Sequence, residues 1–185
     1  LIPAGAVRAA QGSSDAVTLV GNTLSLDMTQ DTSGFLSEEY LSGDGVFLFK
    51  TNLTKSYTDR YYVGLTSDLD AHGQQWSAAF IDYGFQLRGY NRYVGKSNGR
   101  FGEDFGNFTP GDTLGIVRNG NQIEYWNFTA SPDAALYVES ISPDVGNLYV
   151  YAAGNRYAVI PDMTLSDDPT LTTTVQYSGN GYLPV

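Results

Sequence analysis

Apolar and polar residues alternate along most of the chain, in short runs that are separated by turn residues. Gly45 to Leu53 (GVFLFKTNL) and Asp59 to Asp68 (DRYYVGLTSD) are strong strand candidates, and Trp76 to Asn91 alternates over a longer run. A period of two places successive side chains on opposite faces, which is typical of half-buried β-strands. The pattern predicts about ten to twelve short strands and an all-β, antiparallel β-sandwich with little or no helix.

The stretch from Gly111 to Ala130 (GDTLGIVRNGNQIEYWNFTA) predicts a β-hairpin. Two alternating runs flank Asn119, Gly120 and Asn121. Asn and Gly adopt the positive φ angles that two-residue hairpin turns require. Local turn chemistry alone therefore accounts for the middle of this stretch. It does not account for Gly111 and Asp112 before the first strand or for the Tyr-Trp-Asn sequence that ends the second.

Two stretches lack clear alternation. Residues 29–45 (TQDTSGFLSEEYLSGDG) are predicted to form a polar loop with at most one helical turn. Residues 92–110 are rich in glycine and are predicted to hold one short strand. The domain prediction is an irregular arm over 1–15, a sandwich domain over 16–165 and a Thr-rich tail over 166–185.

The composition of the chain limits the classes of partner that the protein is expected to bind. The 185 residues carry a formal net charge of -10 with 10 Lys and Arg, and no basic cluster stands out along the sequence. Phosphate backbones and anionic membrane surfaces are therefore disfavoured, so we expect neither nucleic acid binding nor membrane insertion. The chain has no cysteine, which removes disulfides and thiol chemistry. The acidity fits an extracellular, cell-surface or virion-surface protein.

Several motifs in a fixed order resemble the concanavalin A-like lectin/glucanase superfamily, closest to small bacterial or phage modules of the SPRY and laminin G type. They are YYVGL, IDYGF and a segment of the form Gly-Asp-x-x-x-Ile-x-Arg-x-Gly-x-x-Ile-x-Tyr. Phe128 stands where that pattern usually has glycine, which predicts a locally different loop. The positions that match are Gly111, Asp112, Ile116, Arg118, Gly120, Ile123, Tyr125, Trp126 and Asn127.

The resemblance implies a fold that houses lectins, binding modules and glucanases, so function needs separate arguments. Glucanases of this fold usually place acids two apart on one strand (Glu-x-Asp-x-x-Glu), and this motif is missing. His72 is the single histidine and has no nucleophile motif beside it. We therefore predict that the protein is not an enzyme, with a glucanase or polysaccharide lyase as the less favoured alternative.

Sugar binding needs aromatic rings beside amide and charged side chains. The predicted ligand-binding residues combine these types and are, in chain order, Trp76, Tyr90, Asn91, Arg92, Tyr93 and Trp126. Tyr90 and Tyr93 are predicted to lie in an exposed loop. Core packing is an equally good explanation for any single aromatic residue in this set.

Loop carboxylates are suitable ligands for calcium, and Asp68 with Asp70 is the best candidate pair. No cofactor is required by the sequence, and acids that simply face water are the simpler explanation. The leading hypothesis is a carbohydrate-binding or adhesion module whose partner is a glycan or cell-surface polysaccharide. The alternative is a structural subunit of a virion or surface filament that forms homo-oligomers through its terminal arms.

Overall fold

The computed structural model describes residues 17–26, 33–52, 60–68, 78–89, 91–97, 100–154 and 158–168. This part of the chain contains fourteen β-strands and one short 3-10 helix, Ala78–Phe80. The strands are β1 (Val17–Val20), β2 (Thr23–Leu26), β3 (Ser33–Leu41), β4 (Gly45–Lys50), β5 (Arg60–Thr66), β6 (Tyr83–Arg88), β7 (Arg92–Ser97), β8 (Arg100–Asn107), β9 (Thr113–Asn119), β10 (Gln122–Asn127), β11 (Tyr137–Ser140), β12 (Leu148–Gly154), β13 (Ala158–Ile160) and β14 (Thr164–Ser166).

The strands form three antiparallel sheets, which confirms the predicted β-sandwich class. A six-stranded sheet has the order β3-β12-β5-β6-β7-β8, and a five-stranded sheet has the order β11-β10-β9-β4-β14. A third sheet has the order β1-β2-β13. In the described part of the chain, no helix has the length and apolar character needed to cross a membrane.

One hydrophobic core joins the inner faces of the two large sheets. Phe49 of β4 meets Phe85 of β6 edge to face, with ring centroids 5.8 Å apart. Leu24 and Ile160 of the third sheet belong to the same core. Each large sheet also carries a smaller apolar cluster on its outer face.

Three segments differ from the sequence prediction. Residues 33–41, expected in a loop, form edge strand β3, and the glycine-rich stretch holds two strands, β7 and β8, rather than one. In the part of the long run from Trp76 that the structure describes, no strand precedes Tyr83, because Ala78–Phe80 is helical. Ile81 follows that turn and packs on the outer face of the six-stranded sheet.

The predicted arms fall almost wholly outside the described residues. The described residues end at 168. Ser166, the first residue assigned to the tail, is the last residue of β14. β14 pairs with β4 at the edge of the five-stranded sheet. Assembly through the terminal arms therefore stays a prediction.

Candidate functional site

Among the residues predicted to bind sugar, those that the structure describes do not form one surface. Trp76 and Tyr90 lie outside the described residues. Asn91 occupies the β6–β7 turn with a positive φ of 54°. Arg92 is exposed and forms an ion pair with Asp104 of β8. The ligand-binding roles of these residues stay predictions.

Tyr93 is a correction, because the prediction of an exposed loop residue is wrong. It lies in β7 with only 3% of its surface exposed. Its ring packs against Phe85, Phe105 and Phe108 inside the core, at centroid distances of 6.3, 5.8 and 5.9 Å. Burial also raises the pKa of its phenol. A side chain enclosed in this way cannot offer a stacking face to a sugar in solution.

Trp126 belongs to a packed cluster on the outer face of the five-stranded sheet. Its ring is nearly parallel to that of Phe128, with an interplanar angle of 3° and centroids 5.2 Å apart. Gly115 makes room for Phe128, since a Cβ there would lie 2.5 Å from the Phe128 Cε2 atom. The Trp126 indole donates a 2.9 Å hydrogen bond to Glu124. The phenylalanine that departs from the family pattern therefore fills space over this sheet.

Asp112 and Asn127, at the two ends of the hairpin, meet in a buried network. Asn127 is fully buried, and its Nδ2 donates to Asp112 Oδ2 at 2.9 Å. Asn127 Oδ1 accepts from the backbone N–H groups of Thr129 and Ala130 at 3.1 and 2.9 Å. The same Asp112 oxygen accepts from the Thr109 N–H at 2.9 Å. These two residues therefore hold the loops that flank β9 and β10.

Of the two predicted calcium ligands, the structure describes Asp68 but not Asp70. Asp68 is exposed, its backbone N–H donates to Thr66 Oγ1 at 3.1 Å, and Asp70 lies outside the described residues. Asp44 accepts from the Gly120 N–H and Asp104 is paired with Arg92, so each of these carboxylates has a partner within the protein. Within the described ranges, no three His, Cys, Asp or Glu side chains gather around one point. The Asp68 and Asp70 assignment stays a prediction.

The outer face of the six-stranded sheet carries a different aromatic arrangement. Tyr62 of β5 and Phe101 of β8 are separated by β6 and β7, so their backbones are about 14 Å apart. Their ring centroids nevertheless lie 5.2 Å apart, with a 53° angle between the rings. Both side chains must lean toward each other across the two strands between them. We call this pair the aromatic bridge.

Polar side chains lie beneath the aromatic bridge. Gln86 of β6 is 9% exposed and donates through Nε2 to the Tyr62 hydroxyl oxygen at 2.9 Å. Because that oxygen accepts a bond, the hydroxyl proton of Tyr62 can be donated to a ligand. Lys96 of β7 is 3% exposed, and its Nζ lies 5.7 Å from the centre of the Phe101 ring. The bridge thus combines two partly buried rings with amide, hydroxyl and amine groups.

The 3-10 helix covers the neighbouring part of this face. Lys96 Nζ donates to the carbonyl oxygens of Ala78 and Ala79 at 3.3 and 3.2 Å. Thr66 Oγ1 donates to the Phe80 carbonyl at 2.6 Å. Burial lowers the pKa of the Lys96 amine, and the charge of Asp82 opposes that shift. The turn is therefore fixed to the sheet beside the aromatic bridge.

Sequence reasoning missed Tyr62, Gln86, Lys96 and Phe101 as site residues. Alternation within β5, β6 and β7 assigns the first three to the face opposite Tyr61, Phe85 and Tyr93. The sequence could therefore have shown that these three residues share one face. It could not have shown that Tyr62 lies close to Phe101, because that proximity depends on the order of four strands in the sheet.

Comparison of the fold with solved structures gives low sequence identities. A carbohydrate binding module, CBM66 from Bacillus subtilis, superposes with a TM-score of 0.56 at 11% identity, covering 88% of this chain and 96% of that one. The exoplasmic/lumenal domain of VIP36, in a Ca2+/Man2-bound form, gives 0.56 at 14%, covering 83% and 79%. A sialidase gives 0.56 at 12%, covering 85% of this chain but only 16% of the sialidase.

Sequence comparisons add no closer relative. No protein-family model matches the chain, and no curated protein sequence matches it either. At these identities, the structural likeness concerns the fold alone. The VIP36 domain, the binding module and a human SPRY domain nevertheless share a type of fold with this chain. The protein therefore has the concanavalin A-like lectin/glucanase type of β-sandwich fold, as the order of its motifs predicted.

Proposed function

We propose that the protein is a non-enzymatic carbohydrate-binding module, displayed on a cell or virion surface, and that the aromatic bridge holds the sugar. The observation that carries the proposal is the Tyr62–Phe101 pair above Gln86 and Lys96. A pyranose ring has apolar C–H faces and a rim of hydroxyls. Rings that stack on the faces, with polar groups beside them, match both features.

The structural neighbours support carbohydrate binding as the broad function. Two of them are described as a carbohydrate binding module and as a domain bound to Man2. Others are glycoside-cleaving proteins by description, so the fold by itself does not decide between binding and catalysis.

The carboxylates that border the bridge favour binding over hydrolysis. Glycoside hydrolysis needs two carboxyl groups that face the scissile bond from a short distance. Asp82 Oδ2 accepts from the backbone N–H and the hydroxyl of Ser67 at 2.7 and 2.8 Å. Asp104 is held by Arg92 and by the Gly106 N–H. Both groups serve local structure, which supports a module without catalytic activity.

Replacing Phe101 with alanine is expected to weaken polysaccharide binding about tenfold to thirtyfold, because a stacking ring is a typical binding hot spot. The measurement is calorimetric titration with polysaccharides selected on a glycan array. Trp126→Ala is the matched control, since it removes an aromatic ring from the outer face of the other sheet. Circular dichroism establishes that both variants are folded.

The result would contradict the proposal if Phe101→Ala kept full affinity while Trp126→Ala lost it. Failure of the unaltered protein to bind any polysaccharide would also contradict it. Release of reducing ends or of unsaturated sugars from a bound polysaccharide would instead favour the enzymatic alternative. We expect neither product.

A further inference from the structure

Three arginines from three consecutive strands are direct neighbours in the six-stranded sheet. Arg60 of β5 is the register partner of Arg88 of β6, and Arg88 is in turn the register partner of Arg92 of β7. Residues that lie directly opposite each other on antiparallel strands project from the same face. We call these three residues the arginine row.

The arginine row lies on the same face as the aromatic bridge. Arg60 is two residues away from Tyr62 of the bridge, and Arg88 is two residues away from Gln86, which lies beneath the bridge. A period of two therefore places them on the same outer face. The distance along the strands is about 7 Å, close to the width of one sugar unit.

The row concentrates positive charge on one face of an acidic protein. Like charges placed directly opposite each other on neighbouring strands are destabilising. The chain has only 10 Lys and Arg against 20 Asp and Glu, yet three of those ten stand side by side. Arg60 and Arg92 are exposed and Arg88 is half-buried, while Asp104 pairs with Arg92. The Gly106 N–H and the charges of Arg92 and Arg88 lower the pKa of the Asp104 carboxyl, so Asp104 interacts with two of the three arginines.

We propose that the arginine row is an anion-binding subsite, so that the preferred glycan is an acidic polysaccharide with carboxylate or sulfate groups on its sugars. This inference rests on the proposed function of the aromatic bridge. A guanidinium group presents paired N–H donors that match the two oxygens of a carboxylate or sulfate. The bridge stacks on one sugar while the row receives the acidic group of that sugar or the next.

The test compares polysaccharides that differ only in charge. The pairs are polygalacturonate with its methyl ester, hyaluronan with its methyl ester, and dextran sulfate with dextran. We expect an acidic member to bind at least about tenfold more tightly than its neutral counterpart. We also expect the affinity for the acidic member to fall as the salt concentration is raised. The first two pairs report a carboxylate ligand, and the third reports a sulfate ligand.

Arg88→Gln is the central variant, because it removes the middle charge and keeps hydrogen-bonding capacity. We expect it to lose about tenfold in affinity for the acidic member while remaining folded by circular dichroism. Lys50→Gln is the control: it removes one positive charge from the other sheet, where Lys50 pairs with Asp162. It is expected to bind normally.

The outcomes separate the two proposals. Equal binding of neutral and acidic members, with Phe101→Ala still impaired, overturns the acidic preference and leaves the proposed function intact. Binding of none of the six polysaccharides overturns the acidic preference, and the glycan array then decides the proposed function. Equal loss in Arg88→Gln and Lys50→Gln shows a general charge effect and overturns the subsite. Tighter binding of a single-stranded oligonucleotide than of every acidic polysaccharide overturns the assignment to glycans.

Discussion

Replacing Gly64 with alanine is expected to lower the free energy of unfolding by about 3 kcal/mol or more, which corresponds to a fall of about 10 °C in Tm. Gly64 of β5 is the register partner of Gly84 of β6. A Cβ on Gly64 would lie 2.5 Å from the Cα of Gly84 and closer still to the carbonyl oxygen of Tyr83. Because both obstacles are backbone atoms, no side-chain rotation can relieve the clash, and the two central strands must separate.

Gly102→Ala is the control for this prediction. Gly102 lies in β8 of the same sheet, and a Cβ there would meet nothing within 4 Å. Its effect is expected to stay within about 0.5 kcal/mol. Thermal and chemical unfolding of both variants measure the difference. Equal stability of the two alanine variants would show that the sheet accommodates a methyl group at the glycine pair, Gly64 and Gly84.

The glycine pair also explains how the face that carries the bridge is built. A Cβ on Gly84 would lie 2.6 Å from the Ile81 Cγ2 atom, so the glycine allows Ile81 to pack directly onto the sheet. Ile81 directly follows the 3-10 helix, in which the carbonyl oxygens of Ala78 and Ala79 accept from Lys96. Loss of the glycine pair would therefore disturb the surroundings of Lys96 as well as the overall stability.

Local alternation was sufficient to predict the hairpin of β9 and β10. Its turn has Gly120 with a positive φ of 57°, and Arg118 pairs with Ile123 across the two strands. Asn119 ends β9 and does not itself adopt a positive φ. Each of these features depends on residues that are close in sequence, which is why the pattern was informative there.

Strand β3 shows where alternation fails. Leu36 and Tyr40 are four residues apart, yet their register partners Tyr151 and Tyr149 are only two apart, so β3 contains a bulge. Within it, the Ser37 hydroxyl accepts from the backbone N–H of Val150 at 2.9 Å, replacing a ladder bond with a side-chain bond. A bulge breaks the period of two, and the polar residues that fill it resemble a loop in the sequence.

The arginine row could not be predicted for a different reason. The three arginines belong to three different strands and none is adjacent to another basic residue, so the sequence shows no contiguous basic run. The row arises from the order β5-β6-β7 and from the registers of two strand pairs. Strand order and register are properties of the whole sheet, and alternation within one strand assigns a face but no neighbour.

Replacing Asn127 with alanine is expected to lower the free energy of unfolding by about 3 kcal/mol, because it leaves several buried polar groups without partners. The N–H groups of Thr129 and Ala130 lose their acceptor, and Asp112 loses the amide that donates to it. Asp112 is only 5% exposed, so water does not easily replace that donor. Chemical unfolding at neutral pH measures the loss.

Two further variants show whether the network is responsible. Asn119→Ala removes an exposed amide whose one hydrogen bond, to Glu124, is 3.4 Å long, and it is expected to cost less than about 0.5 kcal/mol. Asn127→Asp keeps the acceptor but places a second carboxylate against Asp112. Because a protonated carboxyl group can again donate to Asp112, this variant should regain stability on acidification relative to the unaltered protein. An Asn127→Asp variant that tracked the unaltered protein at every pH would show that the Asp112–Asn127 contact does not hold the two loops together.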